Sequence, residues 1–155
     1  MKDKFIHAYM DVAKRFAKLS TAKRLQVGAI IVKHDRIISI GYNGMPSGWD
    51  NCCEIQTEAG LETKREVLHA ESNAIAKLAR SSESGESASI FVTHQPCLEC
   101  AKLIYQAGIS SVYYNELYRL KTGIDFLHTA GVKVLRVNSA SVSYTHLTLP
   151  TNREV

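Results

Sequence analysis

Cys97 and Cys100 stand two residues apart, directly after Pro96 and where the pattern of the chain turns helical. That spacing lets two thiolates converge on one ion, and a helix N-terminus lowers the pKa of a thiol placed there. Alone, such a pair reads as a redox couple, as half of a structural zinc finger or as part of a catalytic metal site. His69, expected on a separate helix, decides among these. One imidazole and two thiolates make a zinc site with three protein ligands and a fourth position open to water. Zinc brings the pKa of a bound water to about 7. Glu71, two residues beyond His69, is close enough to touch that water without ligating, and is the residue to shuttle its protons. A lone histidine is more often a surface or packed side chain, but the full constellation argues against that reading.

The elements that must hold these side chains follow from periodicity. Residues 5–19 repeat apolar side chains at helical spacing, with Asp3 as a cap. Two β-branched runs, 27–32 and 36–40, are separated by Lys33-His34-Asp35, a link of hairpin length. A glycine-rich loop follows, Gly41-Tyr-Asn-Gly-Met-Pro-Ser-Gly48, and then a polar stretch, 49–64, without a clear period, read as an ordered loop or short irregular helix. A helix is expected over 65–79, a strand at 88–93, a helix at 98–107, a strand at 109–114, a helix at 120–130 and a strand at 132–137. Strands joined through helices run parallel, so the expectation is an α/β sandwich with helices on both faces of one sheet.

The 155 residues are enough for one core, and 45% apolar with 22% charged residues is a globular composition. One domain is expected over 1–137. Residues 138–155 have no sustained period and read as a loosely packed extension; within it, 143–155 resembles a translated sequencing adapter and is assigned no function. No apolar run approaches membrane-spanning length and the N-terminus lacks a signal-peptide core, so a cytoplasmic protein without membrane contact is expected. The net charge of +4 is scattered, which allows a phosphate-bearing ligand but gives no nucleic-acid surface.

H-x-E followed by P-C-x-x-C is the signature of zinc nucleobase deaminases. Beyond it, Arg24-Leu-Gln-Val-Gly-Ala29, the loop Gly41 to Gly48, His69-Ala-Glu71, Thr93-His-Gln-Pro-Cys-Leu-Glu-Cys100, Gly108-Ile-Ser-Ser-Val-Tyr-Tyr114 and Gly131-Val-Lys-Val134 resemble the successive motifs of deoxycytidylate (dCMP) deaminases. The glycine loop narrows the likeness from the wider cytidine deaminase-like superfamily to that family. The resemblance implies a three-layer α/β/α sandwich around a mixed five-stranded sheet, and hydrolysis of dCMP to dUMP and ammonia. It implies one catalytic Zn2+ per chain on His69, Cys97 and Cys100, with Glu71 as proton donor. Asn43, Arg24 and Ala70 fall at positions of substrate contact, and Gly44, Met45 and Ser47 at positions assigned to an effector. It further implies a homohexamer activated by dCTP and inhibited by dTTP, with Mg2+ accompanying the triphosphate.

Some readings stay open at this level. Asn43 either holds a sugar hydroxyl or adopts a left-handed turn. Arg24 either meets the 5′-phosphate or is solvated. The long loop reaching residue 64 binds phosphates through its backbone or covers the active site as a lid. The adjacent Cys52 and Cys53 lack the spaced partners of a second zinc site, which would need His34 or another distant ligand, and are read as partly buried thiols. A tRNA adenosine deaminase would share the zinc core but calls for a basic surface. A free-nucleoside deaminase would share it without phosphate dependence. A noncatalytic zinc module would lack Glu71.

Overall fold

A computed structural model describes residues 1–145. The order is α1 (Asp3–Ala17), β1 (Gly28–Lys33), β2 (Arg36–Tyr42), β3 (Glu54–Thr57), β4 (Gly60–Thr63), α2 (Ala70–Leu78), β5 (Ser89–His94), α3 (Leu98–Gln106), β6 (Ser111–Glu116), α4 (Thr122–Thr129), β7 (Lys133–Val137) and β8 (Val142–Tyr144). The main sheet runs β2-β1-β5-β6-β7-β8. β5, β6 and β7 are parallel, while β1 pairs antiparallel with β2 and β5, and β8 antiparallel with β7. Among the described residues no helix is long and apolar enough to cross a membrane.

Alternation along the strands divides the core in two. Ala29, Ile31, Ile90 and Val92 face α2, α3 and α4, where Ala70, Ala74, Ala101, Ile104 and Leu127 meet them. Ile30, Val32, Phe91 and Tyr113 face Ile6, Met10 and Ala13 of α1. Central strands covered on both sides have no solvent face, which is why β1 and β5 read as nearly unbroken apolar runs. The expected three layers are present. The β1–β2 hairpin turns through His34 and Asp35, both at positive φ (51° and 58°), the conformation of a tight two-residue hairpin.

Asp3 opens α1 rather than capping it, the N-cap being Lys2, and three larger features differ from the sequence reading. The sheet has six strands rather than five, because β8 comes from the segment expected to lack pattern; the remainder of that segment, 146–155, lies outside the described residues. The polar stretch after the glycine loop is a separate hairpin, β3–β4, whose register pairs Glu54 with Thr63 and Thr57 with Gly60. Four-residue strands mostly open to solvent carry too little apolar alternation to be seen in sequence. α2 begins at Ala70, not near residue 65. Before it, Gly44 and Leu68 exchange backbone hydrogen bonds (3.1 and 2.8 Å), an extended pairing that prevents the helix from starting earlier.

Candidate active site

Two of the chemistry-bearing residues occupy equivalent places at two helix starts. His69 is the N-cap of α2 and Cys97 the N-cap of α3, each with an extended backbone, and each carbonyl accepts the first bond of its helix (Asn73 N–H at 3.0 Å, Ala101 N–H at 2.8 Å). Glu71 lies in the first turn of α2 and Cys100 in the first turn of α3. Both helix starts sit beyond the carboxyl end of β5, where open α/β sheets bind ligands. The unpaired N–H groups of a helix start favour negative charge, here thiolates and a carboxylate.

Close packing fixes these helix starts. A Cβ on Gly41 would collide with the α2 backbone at Ala70 and Ala74 (2.6 Å from the Ala74 nitrogen), so glycine lets β2 lie directly under the turn carrying Glu71. Ser39 Oγ donates to the Ala74 carbonyl (2.6 Å), Asn73 Nδ2 to the Tyr42 carbonyl (2.9 Å) and Lys77 Nζ to the Ile40 carbonyl (2.6 Å). Gly123 does the same for the second helix start: a Cβ there would stand 2.9 Å from the Cys97 backbone carbon.

His69 Nδ1 lies 3.3 Å from Cys100 Sγ and 3.5 Å from Cys97 Sγ, and the three ligand atoms all lie within 4.8 Å of one another. Ligands about 2.0–2.3 Å from one tetrahedral zinc stand roughly 3.5–3.8 Å apart, so the set fits the ion. Hydrogen bonds from the Cys100 thiol and His69 push Cys97 down to about 3, and Cys100, which keeps the shared proton and is buried, is pushed up. The hydrogen bond with Cys97 raises His69. Glu71 is 4% exposed, and burial pushes its carboxyl up to about 7 against the opposing pull of the backbone amide and the His69 charge. A buried carboxyl held above its ordinary range beside these ligand atoms is of the kind that can both take up and give back a proton.

A cavity of about 390 Å3 opens from this cluster, lined by His69, Ala70, Glu71 and Cys97 and, toward solvent, by Arg24, Asn43 and Thr63. That is the size range of small-ligand sites. Asn43 lacks the left-handed backbone held open for it. Its Nδ2 donates to the Leu25 carbonyl (2.8 Å) and its Oδ1 accepts from Val27 N–H (2.9 Å), so the amide shapes the loop before β1, with one donor and one lone pair to spare. Arg24 is exposed at the mouth, its Nη1 donating to Thr63 Oγ1 at 3.3 Å. Gly44, Met45 and Ser47 lie outside the cavity lining. Cys53 is buried against Thr21 Oγ1 (3.5 Å), whereas Cys52 is exposed rather than partly buried.

Among the lining residues that sequence reasoning did not assign to the site are Glu54, His94, Gln95 and Tyr118. Glu54, 5% exposed, accepts the N–H groups of Lys23 (2.8 Å) and Arg24 (3.1 Å) on one carboxylate oxygen and so fastens the Arg24 loop to the β3–β4 hairpin. Nothing in a polar stretch marks it. Gln95 Oε1 accepts from Tyr118 N–H and fixes the turn after β6. His94 and Gln95 stand inside the motif that ends in Cys100, and their place beside the cysteines was the available signal.

A three-layer sandwich with an imidazole, two thiolates and a buried carboxyl at two helix starts defines the class of zinc-dependent hydrolytic deaminases. Residues 3–116 match the family described as the cytidine and deoxycytidylate deaminase zinc-binding region, and the chain belongs to it. It is similar to the deoxycytidylate deaminase of Enterobacteria phage T4, 38% identical in an alignment, gaps included, of 168 positions that covers 83% of this chain and 87% of that one. ComE operon protein 2 of Bacillus subtilis is also 38% identical, over 130 residues covering 83% and 69%. Among solved structures, the dCMP deaminase of the cyanophage S-TIM5 in complex with dCMP and dUMP superposes with a TM-score of 0.84 at 48% identity, over 88% of this chain and 99% of that one.

Proposed function

We propose that this protein hydrolyses dCMP to dUMP and ammonia. The carrying observation is that one cavity joins the His69, Cys97 and Cys100 cluster and the buried Glu71 to an exposed arginine at its mouth. The similarity to enzymes named for dCMP supports this choice of nucleotide. His69 Nδ1, Cys97 Sγ and Cys100 Sγ would hold a zinc ion, which would supply the Lewis acidity that makes water nucleophilic near neutral pH. Glu71 accepts one proton of the attacking water and delivers it to N3 of the pyrimidine. It then carries the second to the amino group on C4, which leaves as ammonia while the C4 carbonyl forms. The Ala70 N–H belongs to the unpaired set at the α2 start and faces the pyrimidine, Asn43 contacts the sugar, and Arg24 pairs with the 5′-phosphate. Ammonia release from dCMP, dCTP, deoxycytidine, cytosine and tRNA tests the reading. Turnover is expected with dCMP; equal turnover of deoxycytidine would remove the phosphate from it.

The same reading extends to regulation. A homo-oligomer, a hexamer by family likeness, is supported by exposed apolar side chains on α3 (Leu98, Leu103, Tyr105) and after β6 (Leu117, Leu120). In it dCTP activates and dTTP inhibits, with Mg2+, at the glycine loop of Gly44, Met45 and Ser47, outside the substrate cavity. Initial rates against dCMP at several dCTP and dTTP concentrations test this, with purely competitive inhibition as the contrary result. The part of the chain read as carrying this activity is 1–137, with β8 an edge strand added to its sheet, and a cytoplasmic enzyme acting on free nucleotides is the location that goes with the reading.

A further inference from the structure

His94 ends β5 and lines the cavity, yet it is neither a metal ligand nor the proton carrier. Ile90 and Val92 face α2 and α3, so alternation puts His94 on the same face, toward the helix starts that carry the site. Its neighbour Thr93 is buried. Thr93 Oγ1 accepts the Gly28 N–H (3.1 Å) and lies 3.1 Å from His94 Nδ1. Among the described residues the Thr93 hydroxyl hydrogen has no acceptor other than that nitrogen. A buried hydroxyl hydrogen without a partner costs about 1–3 kcal/mol, so Thr93 donates and Nδ1 accepts. The ring hydrogen is then on Nε2. Burial also holds the imidazole below its ordinary pKa, against the opposing charge of Glu116 on β6.

We propose that His94 is a substrate-binding residue, a neutral imidazole whose Nε2–H donates to an uncharged oxygen of the nucleoside, with Thr93 as the positioning residue that sets its tautomer. A neutral donor suits a carbonyl or hydroxyl oxygen; the phosphate has the permanent cation of Arg24. This rests on the reading of the cavity as a nucleotide deaminase site, but the tautomer can be tested without it.

Nitrogen-15 NMR of the zinc-loaded full chain at pH 7.5 should show His94 protonated on Nε2 alone. A hydrogen on Nδ1, or on both nitrogens, would overturn the assignment. Thr93→Ser should leave the tautomer unchanged and Thr93→Val should release it. His94→Leu should raise the KM for dCMP about tenfold with kcat within a few-fold, the size of one hydrogen bond, and His94→Gln should recover most of it. An unchanged KM in His94→Leu, or no recovery in His94→Gln, would count against the contact. The KM ratio of His94→Leu to the parent should be the same at low and high salt; a ratio that collapses at high salt would point to the phosphate and overturn the uncharged acceptor. With the 3′-deoxy analogue of dCMP, loss of the His94→Leu effect assigns the 3′-oxygen and its persistence assigns the base carbonyl. A parent without dCMP turnover would fail the functional reading and leave the tautomer result to stand by itself.

Discussion

The two ends of the cavity are built by different means. At the buried end, His69, Glu71, Cys97 and Cys100 sit within one turn of two helix starts, and those starts are fixed by backbone packing against Gly41 and Gly123. At the mouth, Arg24, Asn43, Glu54 and Tyr118 come from loops and a small hairpin joined by side-chain bonds to backbone: Glu54 to Lys23 and Arg24, Asn43 to Leu25 and Val27, Gln95 to Tyr118. Reacting groups need placement to a fraction of an ångström, and close-packed regular elements supply it. The mouth needs shape and charge, and loops can change these without moving the chemistry.

If this division holds, damage at the buried end removes turnover and damage at the mouth weakens substrate binding. The largest effect belongs to the ligands. Cys97→Ser should lose both zinc and activity, because a hydroxyl is a poor zinc ligand; metal analysis beside turnover reads both. Full zinc content in that variant would break the ligand assignment. Glu71→Gln should retain zinc and fold while kcat falls by at least about 10²–10⁴-fold, the share of a general acid–base. Normal turnover would sink the proton path.

A backbone change separates packing from chemistry. Gly41→Ala adds one methyl group that meets the α2 backbone, and overpacking of this kind costs about 1–3 kcal/mol. The relief is a shift of the turn carrying Glu71. A lower melting temperature with a lower kcat is expected, and loss of stability with an unchanged kcat would show that α2 moves without disturbing the site. At the mouth, Glu54→Ala frees two amides from a nearly buried carboxylate. Charge-assisted hydrogen bonds are worth about 1.5–3 kcal/mol, so the KM for dCMP should rise roughly 10–100-fold as the Arg24 loop loosens, with kcat nearly unchanged. A fall confined to kcat would contradict the division.

The same division governs what could be read before the structure was known. The buried end was legible because its chemistry sits at local spacings, H-x-E and C-x-x-C, and because helix starts and apolar strands leave periodic traces. The mouth was not. Glu54 acts on residues some 30 positions away, from a strand too short to alternate. The start of α2 was misplaced because Val67 and Leu68 imitate helical spacing while the bridge from Gly44 to Leu68, a long-range contact, holds the backbone extended. Asn43 shows the limit within a motif. Its place was marked, but that its amide also ties the loop before β1 depends on a partner that no local pattern names.

The smallest effect is expected far from both ends, at the sheet edge. β8 pairs with β7 through Val137 with Val142 and Leu135 with Tyr144, Thr145 N–H reaches the Val134 carbonyl (3.0 Å), and Val142 packs on the α1 side of the core. The expected domain end at 137 lies just before this strand. Strand and core therefore make different demands on a chain stopped after Asn138. The strand's few bonds and one half-buried valine amount to about 1–2 kcal/mol by the usual values for hydrogen bonds and apolar burial. For a domain of this size that lowers the melting temperature by about 2–8 °C. kcat and KM should stay at parental values, because β6 and β7 separate β8 from the strand that carries the site. Thermal melts and steady-state rates on the two chains decide it: an unchanged melt would show that the strand contributes nothing to the fold, and a loss of activity would show that the mouth depends on the sheet edge.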